Sequence, residues 1–577
     1  MGFRGKRMRT LIAPYGGSLS ILYISGDALE AERQRSIAFP SWDLTDRQAC
    51  DIELLMNGAL SPLSGFMNWE EYERVVHDMR LPNGLAWPIP IVLDVSTEFA
   101  EQLVIGERIA LRDWEGIVVA TMKVEVKWIP DREVEAREVY CTADTSHPGV
   151  FHLAHRTNPV YIGGPVSGLE PPPYYDFKYL RDDPTSLRRK FLDRGWLRVV
   201  AFQTRNPMHR AHFELTVRAV KAAEANLLLH PVVGMTKPGD VDPYTRVRCY
   251  EHVLRRYPEQ TTIMSLLPLA MRLAGPREAL WHAIIRRNFG CTHIIIGRDH
   301  AGPGNDANGS SFYGPYAAQE LVRRYADQLE IEILPFEEMV YVPERGEFVP
   351  HNELREEETS LTISGTELRR RLRFGLDIPD WLSFPEVLDE LRRSSPPRHR
   401  QGFVVFFTGL PSAGKSTIAN ALLAKLNEDG TRPVTLLDGD IVRHHLSSEL
   451  GFSREHRDLN VLRIGYVASL IAKSGGVAIC APIAPYENVR RQVREVVEAH
   501  GGFIEVYVAT PVEICARRDR KGLYAKARAG LLSNFTGVND PYEEPSAPDL
   551  RIDTQEQTPD QAAQQILLKI EALRYVR

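Results

Sequence analysis

Residues 203–212 read QTRNPMHRAH, with His209 and His212 three positions apart and Arg205 and Arg210 beside them. Side chains three or four apart share a helix face, so the pair could hold a metal. No Glu completes a His-Glu-x-x-His pattern, and no cysteine or third ligand lies close in sequence. A histidine pair in a core or on a surface is the plainer reading. A third is anion contact, with imidazoles at a helix start where N–H groups favour negative charge. The flanking arginines favour an anion over a cation.

Other stretches suit an anion site. GMTKPGD (234–240) and PLAMRLAGPREALWHAIIRRNFG mix glycine turns with basic residues, and GRDHAGPG (297–304) follows the apolar run THIII. A glycine-rich loop at the carboxyl end of a strand is where open α/β sheets bind ligands.

The second chemical signal is GLPSAGKS at 409–416, a G-x-x-x-x-G-K-[ST] pattern between apolar FVVFF and helical TIANALLAKL. Strand, glycine loop and helix is the context that a phosphate-binding loop needs. Lys415 is placed to reach the β and γ phosphates, and Ser416 to hold Mg²⁺. Downstream, LLDGDIVRHHL puts Asp438 and Asp440 at a strand end, and GFSREHRDLN offers Phe452, Arg457 and Asn460. These residues suit a kinase for a small anionic acceptor. Arg443 and Arg457 pair with its acidic groups, Phe452 and Phe535 stack on a ring, and Asp438 accepts the hydroxyl proton or organises Mg²⁺.

These residues need particular elements to carry them. Up to about residue 150, WPIPIVLDV, ERIALRDWEGIVVATMKVEVKWI and REVYCTAD read as strands between turns, a mostly β domain. From about 195 to 340, LRVVAF, LLLHPVVG, THIIIG and LEIEILPF alternate with helical segments, as in a parallel sheet. SSPPRHRQG near 394 reads as a linker, and a second α/β pattern runs on to about 575.

At 577 residues the chain exceeds one core, and 43% hydrophobic with 25% charged residues is an ordinary globular balance. The net charge of −6 argues against nonspecific nucleic-acid binding. Six scattered cysteines without a Cys-x-x-Cys pair suit reduced thiols, and no structural metal is expected. No apolar run approaches a membrane span, and no apolar signal core follows the basic N-terminus, so the cytoplasm is expected.

The 400–575 region resembles adenylyl-sulfate (APS) kinase. The match rests on the phosphate loop, Asp-Gly-Asp at 438–440, Gly-Phe-Ser at 451–453, Arg-Asp-x-Asn at 457–460, Lys-Gly-Leu-Tyr at 521–524 and Phe-Thr-Gly at 535–537. The resemblance implies 3′-phosphorylation of adenosine 5′-phosphosulfate by MgATP, giving PAPS. It implies nucleotide contacts from Gly409, Leu410, Pro411, Ser412, Ala413 and Gly414, continuing through Lys415, Ser416 and Thr417. It places APS against Asp438, Arg443, Phe452, Arg457 and Asn460, with Ile483, Lys521 and Phe535; Asp438 and Lys415 are the catalytic pair. One position departs from the family. Ile483-Ala484-Pro485 stands where Ile-Ser-Pro is common, and Ala484 cannot form a phosphoserine. Direct in-line transfer needs none.

Residues 10–390 resemble ATP sulfurylase, through QTRNPMHRAH, GRDHAGPG, GALSPLSGFM (58–67), YIGGPV (161–166) and SGTELRRRL (364–372). The resemblance implies a multidomain α/β chain. A β-rich PUA-like domain spans 1–190, and a Rossmann-like nucleotidylyltransferase domain spans 191–340. A small α/β subdomain (341–393) and a linker (394–401) precede a P-loop NTPase-type parallel α/β domain (402–577). The implied reaction is ATP plus sulfate to adenylyl sulfate and pyrophosphate. Sulfate is already ionised, so the site needs anion donors and no carboxylate base. The carried-over catalytic positions are Thr204, Arg205 and Asn206, with His209 and His212 on ATP phosphates. Gln203, Arg205 and the Ala301 backbone take sulfate. Gly297, Arg298, Asp299 and His300 hold the nucleotide, Arg298 also steadying the reacting anions, and Met339 meets adenine. Mg²⁺ enters with ATP.

The two halves catalyse consecutive steps, and the expected assembly is a homo-oligomer. Two other readings stand beside the bifunctional one. The C-terminal part is an allosteric nucleotide-binding module, as in filamentous-fungal relatives, or the sulfurylase runs toward ATP. The intact loop at 409–416 favours a working kinase.

Overall fold

The computed structural model describes residues 10–576 except 238, 239, 307, 520 and 533, and of residue 440 the backbone alone. The chain forms two compact units, Met1–Ile363 with Pro379–Glu390, and Ser364–Ile378 with Leu391–Arg577. No helix among the described residues is long and apolar enough to cross a membrane.

The first unit opens with a seven-stranded sheet organised on Val160–Gly168. That strand pairs antiparallel with Gly65–Phe66, Leu93–Val95, Val118–Lys123 and Val126–Trp128. It carries YIGGPV because the backbones crowd there. A Cβ on Gly164, at φ +153°, would lie 1.9 Å from Lys123 O. The expected strand in REVYCTAD is corrected: Arg132–Tyr140 is a helix. Asp131 caps it by accepting from Glu133 N and Val134 N, and Glu135, Ala136, Val139 and Tyr140 form its buried face. Those tertiary contacts outweigh the β-favouring Val and Tyr.

The second part of this unit is a five-stranded parallel sheet. Its order is Thr262–Met264, Asn226–Leu229, Val199–Phe202, His293–Ile296, Glu332–Pro335. Sequence order reverses between Val199–Phe202 and His293–Ile296, which lie side by side. A crevice opens beyond the carboxyl ends of two such strands. The loops leaving them begin at Gln203 and Gly297, so the topology alone brings the two anion motifs together.

The second unit is built on another parallel sheet, ordered Val434–Asp438, Val477–Ala481, Phe403–Thr408, Gly502–Val508, Leu550–Ile552. Every residue of the three central strands is buried. Helices cover both faces of such sheets, which explains the unbroken apolar run of FVVFF. Each fully buried Phe or Val there is worth about 1.5–3 kcal/mol of transfer free energy.

Candidate active sites

In the first unit the strand Val199–Phe202 ends, seven residues turn, and helix Arg210–Ala223 begins. The helix lays Leu215, Thr216, Ala219 and Ala223 on the core, which fixes the direction in which its first turn leaves the loop. His209 is the N-cap. Its backbone N–H donates to His212 Nδ1 at 3.1 Å, and its Nδ1 lies 2.8 Å from Ser383 Oγ. Because His212 Nδ1 accepts, its proton sits on Nε2, which is left as a donor. Burial pulls His209 down to about 3, helped by His212, and His212 to about 4. Both imidazoles are therefore neutral at pH 7, without positive charge.

Thr204 Oγ1 accepts from Asn206 N at 3.0 Å and donates to Asn206 O at 3.1 Å, closing the loop. Two residues outside the motif brace it: Arg246 donates to Arg205 O at 2.9 Å and Tyr250 to Asn206 O at 2.8 Å. Sequence reasoning missed both, because their only signal is a helix some forty residues downstream. Arg205 donates to Gly302 O at 3.2 Å and lies 3.8 Å from Asp240. Arg205 Nη1 and Gln203 Oε1 are buried with no hydrogen-bond partner among the described residues. Such orphaned atoms mark a place where a polar ligand belongs.

A cavity of about 360 Å³ lies alongside, lined by Arg205, Asn206, Arg298, Asp299, His300 and Lys237 among others. Asp299 and Ala301 take left-handed φ of +51° and +55°, turning the loop after strand His293–Ile296 sharply. Arg298 is not a bare cation: it pairs with Glu338 at 2.5 Å and with Asp299 at 3.4 Å. Gln203, Thr204, His209, His212, Gly297, Ala301 and Met339 do not line this cavity; Met339 is buried at the start of the hairpin strand Met339–Val342. Arg210 turns away from the anion site: its Nε donates to Asp380 O and Ser383 O, and the guanidinium lies over Phe384. No group of three or more His, Cys, Asp or Glu among the described residues could hold a metal ion.

In the second unit, residues 409–414 join strand Phe403–Thr408 to helix Lys415–Asp429. Gly409 is required at the turn: at φ +148° its Cβ would meet Val508 O at 2.7 Å. Lys415 Nζ donates to Gly409 O and Leu410 O, both at 2.8 Å, and burial lowers it to about 8. Ser416 Oγ donates to Asp438 Oδ2 at 2.9 Å. A hydroxyl beside a carboxylate is a hard-oxygen donor set, the kind that fits Mg²⁺ arriving on a nucleotide.

The cavity here is about 700 Å³. It is lined by Pro411, Ser412, Gly414, Lys415, Ser416 and Thr417 on the phosphate side. On the other side stand Asp438, Arg443, Phe452, Arg457, Asn460, Ile483 and Lys521. Gly409, Leu410, Ala413 and Phe535 are not in its wall; Phe535 packs edge-on against Tyr524. The side chain of Asp440 lies outside the described residues. Arg457 is held by Asp540 at 2.9 Å, Thr536 at 3.0 Å and Tyr486 at 2.9 Å, leaving only Nε buried and partnerless among the described residues. Arg443 donates to Leu450 O and Gly451 O and lies under Phe452. Arg518 and Thr554, bonded to each other at 2.8 Å, also line the cavity and were not foreseen. Ala484 lines it too, with a left-handed φ of +45°.

Three family models match the chain in order: PUA-like domain at 12–171, ATP-sulfurylase at 178–394, and adenylylsulphate kinase at 401–553. The sulfate adenylyltransferase of Neurospora crassa is 51% identical over 567 residues, covering 97% of this chain and 98% of that protein. The chain belongs to the sulfate adenylyltransferase family. The Mycosarcoma maydis sulfate adenylyltransferase is 50% identical over 97% of this chain and 99% of its own length. A solved structure described as a hexameric APS kinase from Thiobacillus denitrificans matches with a TM-score of 0.82 and 42% identity, over 98% of this chain and 100% of that one. In this member of the sulfate adenylyltransferase family, then, the crevice of the first unit falls in the ATP-sulfurylase region and the larger cavity in the kinase region. The expected order, sulfurylase first and kinase second, holds.

Proposed function

We propose that the enzyme activates sulfate in two steps at two sites, with the following roles for its residues. In the first unit Gln203, Arg205 and the Ala301 N–H hold sulfate. A sulfate oxygen attacks the α-phosphorus of MgATP, the bond to the β-phosphate oxygen breaks, and pyrophosphate leaves. His209 and His212 donate hydrogen bonds to the phosphates through neutral imidazoles. Thr204 and Asn206 keep the loop in shape around Arg205, residues 297–300 hold the nucleotide with Arg298 anchored by Glu338, and Met339 borders adenine. Donors preorganised where charge develops are the main source of rate in such a site. The orphaned Arg205 Nη1 donor supports this reading.

In the second unit the 3′-hydroxyl of adenylyl sulfate attacks the γ-phosphorus of a second MgATP, giving PAPS and ADP. Asp438 takes the hydroxyl proton, Ser416 holds the Mg²⁺, and Lys415 exchanges its carbonyl partners for phosphate oxygens. Phe452 and Arg443 form an aromatic and cationic wall for the acceptor, with Asn460, Ile483 and Lys521. Arg457 serves that wall through Asp540 and offers only Nε to a ligand.

The observation that carries the two-step reading is the Ser416–Asp438 pair beside Lys415. A second reading has its own support: the full-length fungal relatives are named for the first activity alone. There the second unit would only sense nucleotide. Incubation with MgATP, sulfate and pyrophosphatase separates the two. PAPS from the wild type and adenylyl sulfate alone from Lys415→Ala is expected. PAPS formation untouched by Lys415→Ala, with altered sulfate cooperativity, favours the regulatory reading.

The chain is further assigned to a cytoplasmic homo-oligomer. Leu459, Tyr466 and Leu470 are exposed along one face of helix Arg454–Lys473, a surface suited to a second copy. Light scattering of the purified chain tests it.

A further inference from the structure

Behind Gln203 lies a buried polar chain that neither reaction step uses. Glu278 and His282 face each other across one turn of helix Gly275–Asn288, both wholly buried, with His282 Nε2 3.3 Å from Glu278 Oε1. Glu278 also accepts from Arg272 N at 2.9 Å and Ala274 N at 3.0 Å. Burial alone would raise this carboxyl; the His282 bond and the two N–H groups bring it below its ordinary value. Glu278 is therefore an ionised acceptor. Burial also lowers His282, so its ring is neutral and carries one proton. A bare Nε2 lone pair facing a carboxylate would be repulsive, so that proton is on Nε2. His282 Nδ1, 3.1 Å from His300 Nε2, is then the acceptor of that second contact.

Gln203 Nε2 sits 3.3 Å from the same His282 Nε2, and Gln203 Oε1 is buried without a partner among the described residues. Two N–H groups cannot satisfy each other. A half-turn of the amide resolves both conflicts: Oε1 shares the one His282 Nε2–H with Glu278 Oε1 in a three-centre bond, and the NH₂ takes the opposite edge.

We propose that Glu278 and His282 are positioning residues that lock the Gln203 amide with its NH₂ toward the anion, making the pocket donor-only and selective for sulfate over hydrogen phosphate. This rests on the reading that Gln203 and Arg205 hold sulfate. The chemistry is simple. Sulfate near neutral pH has four acceptor oxygens and no proton. Phosphate has the same shape but keeps at least one O–H, which needs an acceptor. Arg205 and the Ala301 N–H can only donate, so of the three sulfate contacts Gln203 alone could offer an oxygen. The nearby carboxylate of Asp240 has its Oδ2 engaged by Lys237 N at 3.1 Å and turned toward Arg205. Glu278 thus sets the polarity of the pocket through one imidazole, a case of specificity by exclusion.

The test measures adenylyl sulfate formation by the full chain, with KM for sulfate, KM for MgATP, and Ki for inorganic phosphate against sulfate. Glu278→Gln can donate to His282, move the proton to Nδ1 and turn the Gln203 amide over. It should raise the sulfate KM by about tenfold or more, lower the phosphate Ki-to-sulfate KM ratio by a similar factor, and leave the MgATP KM within about twofold. His282→Met, which removes the donor, should behave alike, and His282→Gln, which keeps an N–H near the Nε2 position, should retain most of the selectivity. Gln203→Leu is the control for the underlying reading. An unchanged sulfate KM in Gln203→Leu sinks that reading. A raised KM there, with an unchanged ratio in folded Glu278→Gln or His282→Met, overturns the lock alone. So does a collapsed ratio in His282→Gln, which settles the matter should the other two fail to fold.

Discussion

Ser416 Oγ donates to Asp438 Oδ2 across 2.9 Å, joining the first turn of helix Lys415–Asp429 to the end of strand Val434–Asp438. In the proposed kinase step the pair puts the Mg²⁺-holding hydroxyl and the proton acceptor on one spot. Asp438→Asn should lower kinase turnover by about 10²–10⁴-fold, the span typical of a lost general base. Sulfurylase turnover should not move. Separate assays of adenylyl sulfate and PAPS formation check this, and equal losses in both would count against it.

Lys415 gives a pH dependence. Its value of about 8 is lowered by burial from 10.5. Phosphate oxygens need the ammonium form, so above pH 8 nucleotide must bind together with a proton. MgATP affinity at this site should fall by about tenfold per pH unit above 8 and be level well below it. Calorimetry in buffers of different ionisation enthalpy, wild type against Lys415→Met, should report proton uptake near pH 8. Proton release there would contradict the assignment.

His209 and His212 give the opposite kind of profile. Burial holds them neutral down to about 3 and about 4. A lowered histidine value stabilises the fold fully above the unfolded value of about 6.5, and that stability drains as pH falls toward the folded values. Sulfurylase kcat/KM should therefore pass through pH 6.5 without a break and fall only toward pH 4. His209→Ala and His212→Ala should each lower kcat by about 10²–10³-fold, as expected for a lost preorganised donor. Stoichiometric zinc on both imidazoles would refute the donor role.

Arg210 should prove structural. Its bonds to Asp380 O and Ser383 O and its seat over Phe384 tie the helix start to residues 380–384. Arg210→Ala should cost about 1–3 kcal/mol of stability by leaving those carbonyls unpaired. A thermal melt reads that loss, while the sulfate KM stays within about twofold of the wild type.

Ala484→Ser restores the hydroxyl common at this position in the kinase family. Direct in-line transfer needs no phosphoserine, so PAPS formation should stay within about threefold of the wild type. Intact-mass spectrometry of the Ala484→Ser protein after incubation with MgATP should find no added phosphate.

What the sequence made legible was local. The loops at 203–209 and 409–414 each lie between one strand and one helix, so strand–loop–helix patterning located both sites. Arg210 misled because sequence places it beside Arg205, whereas the helix start turns it toward residues 170 positions away. Arg457 was read as a free fork, but its carboxylate partner Asp540 stands 83 positions downstream. Arg298 finds Glu338 across forty residues in the same way. REVY has strand-forming residues, but the cap at Asp131 and the burial of one helical face decide it. His282 gave no signal of its own: it is one of several polar residues in a helix buried nearly from end to end.

The Ala413 carbonyl accepts from Thr510 Oγ1 at 2.9 Å and Thr554 Oγ1 at 3.1 Å, with Arg518 at 3.4 Å. Thr408 Oγ1 meanwhile ties the strand end to Ile483 O and Ala484 O. The phosphate loop is thus pinned at both ends before any nucleotide arrives. Its shape is a mould cast before the guest arrives, so entry of MgATP is a docking step with little ordering entropy to overcome. Selection at this site falls on the fit of the incoming molecule, and the association rate should be insensitive to solvent viscosity beyond the ordinary effect of diffusion.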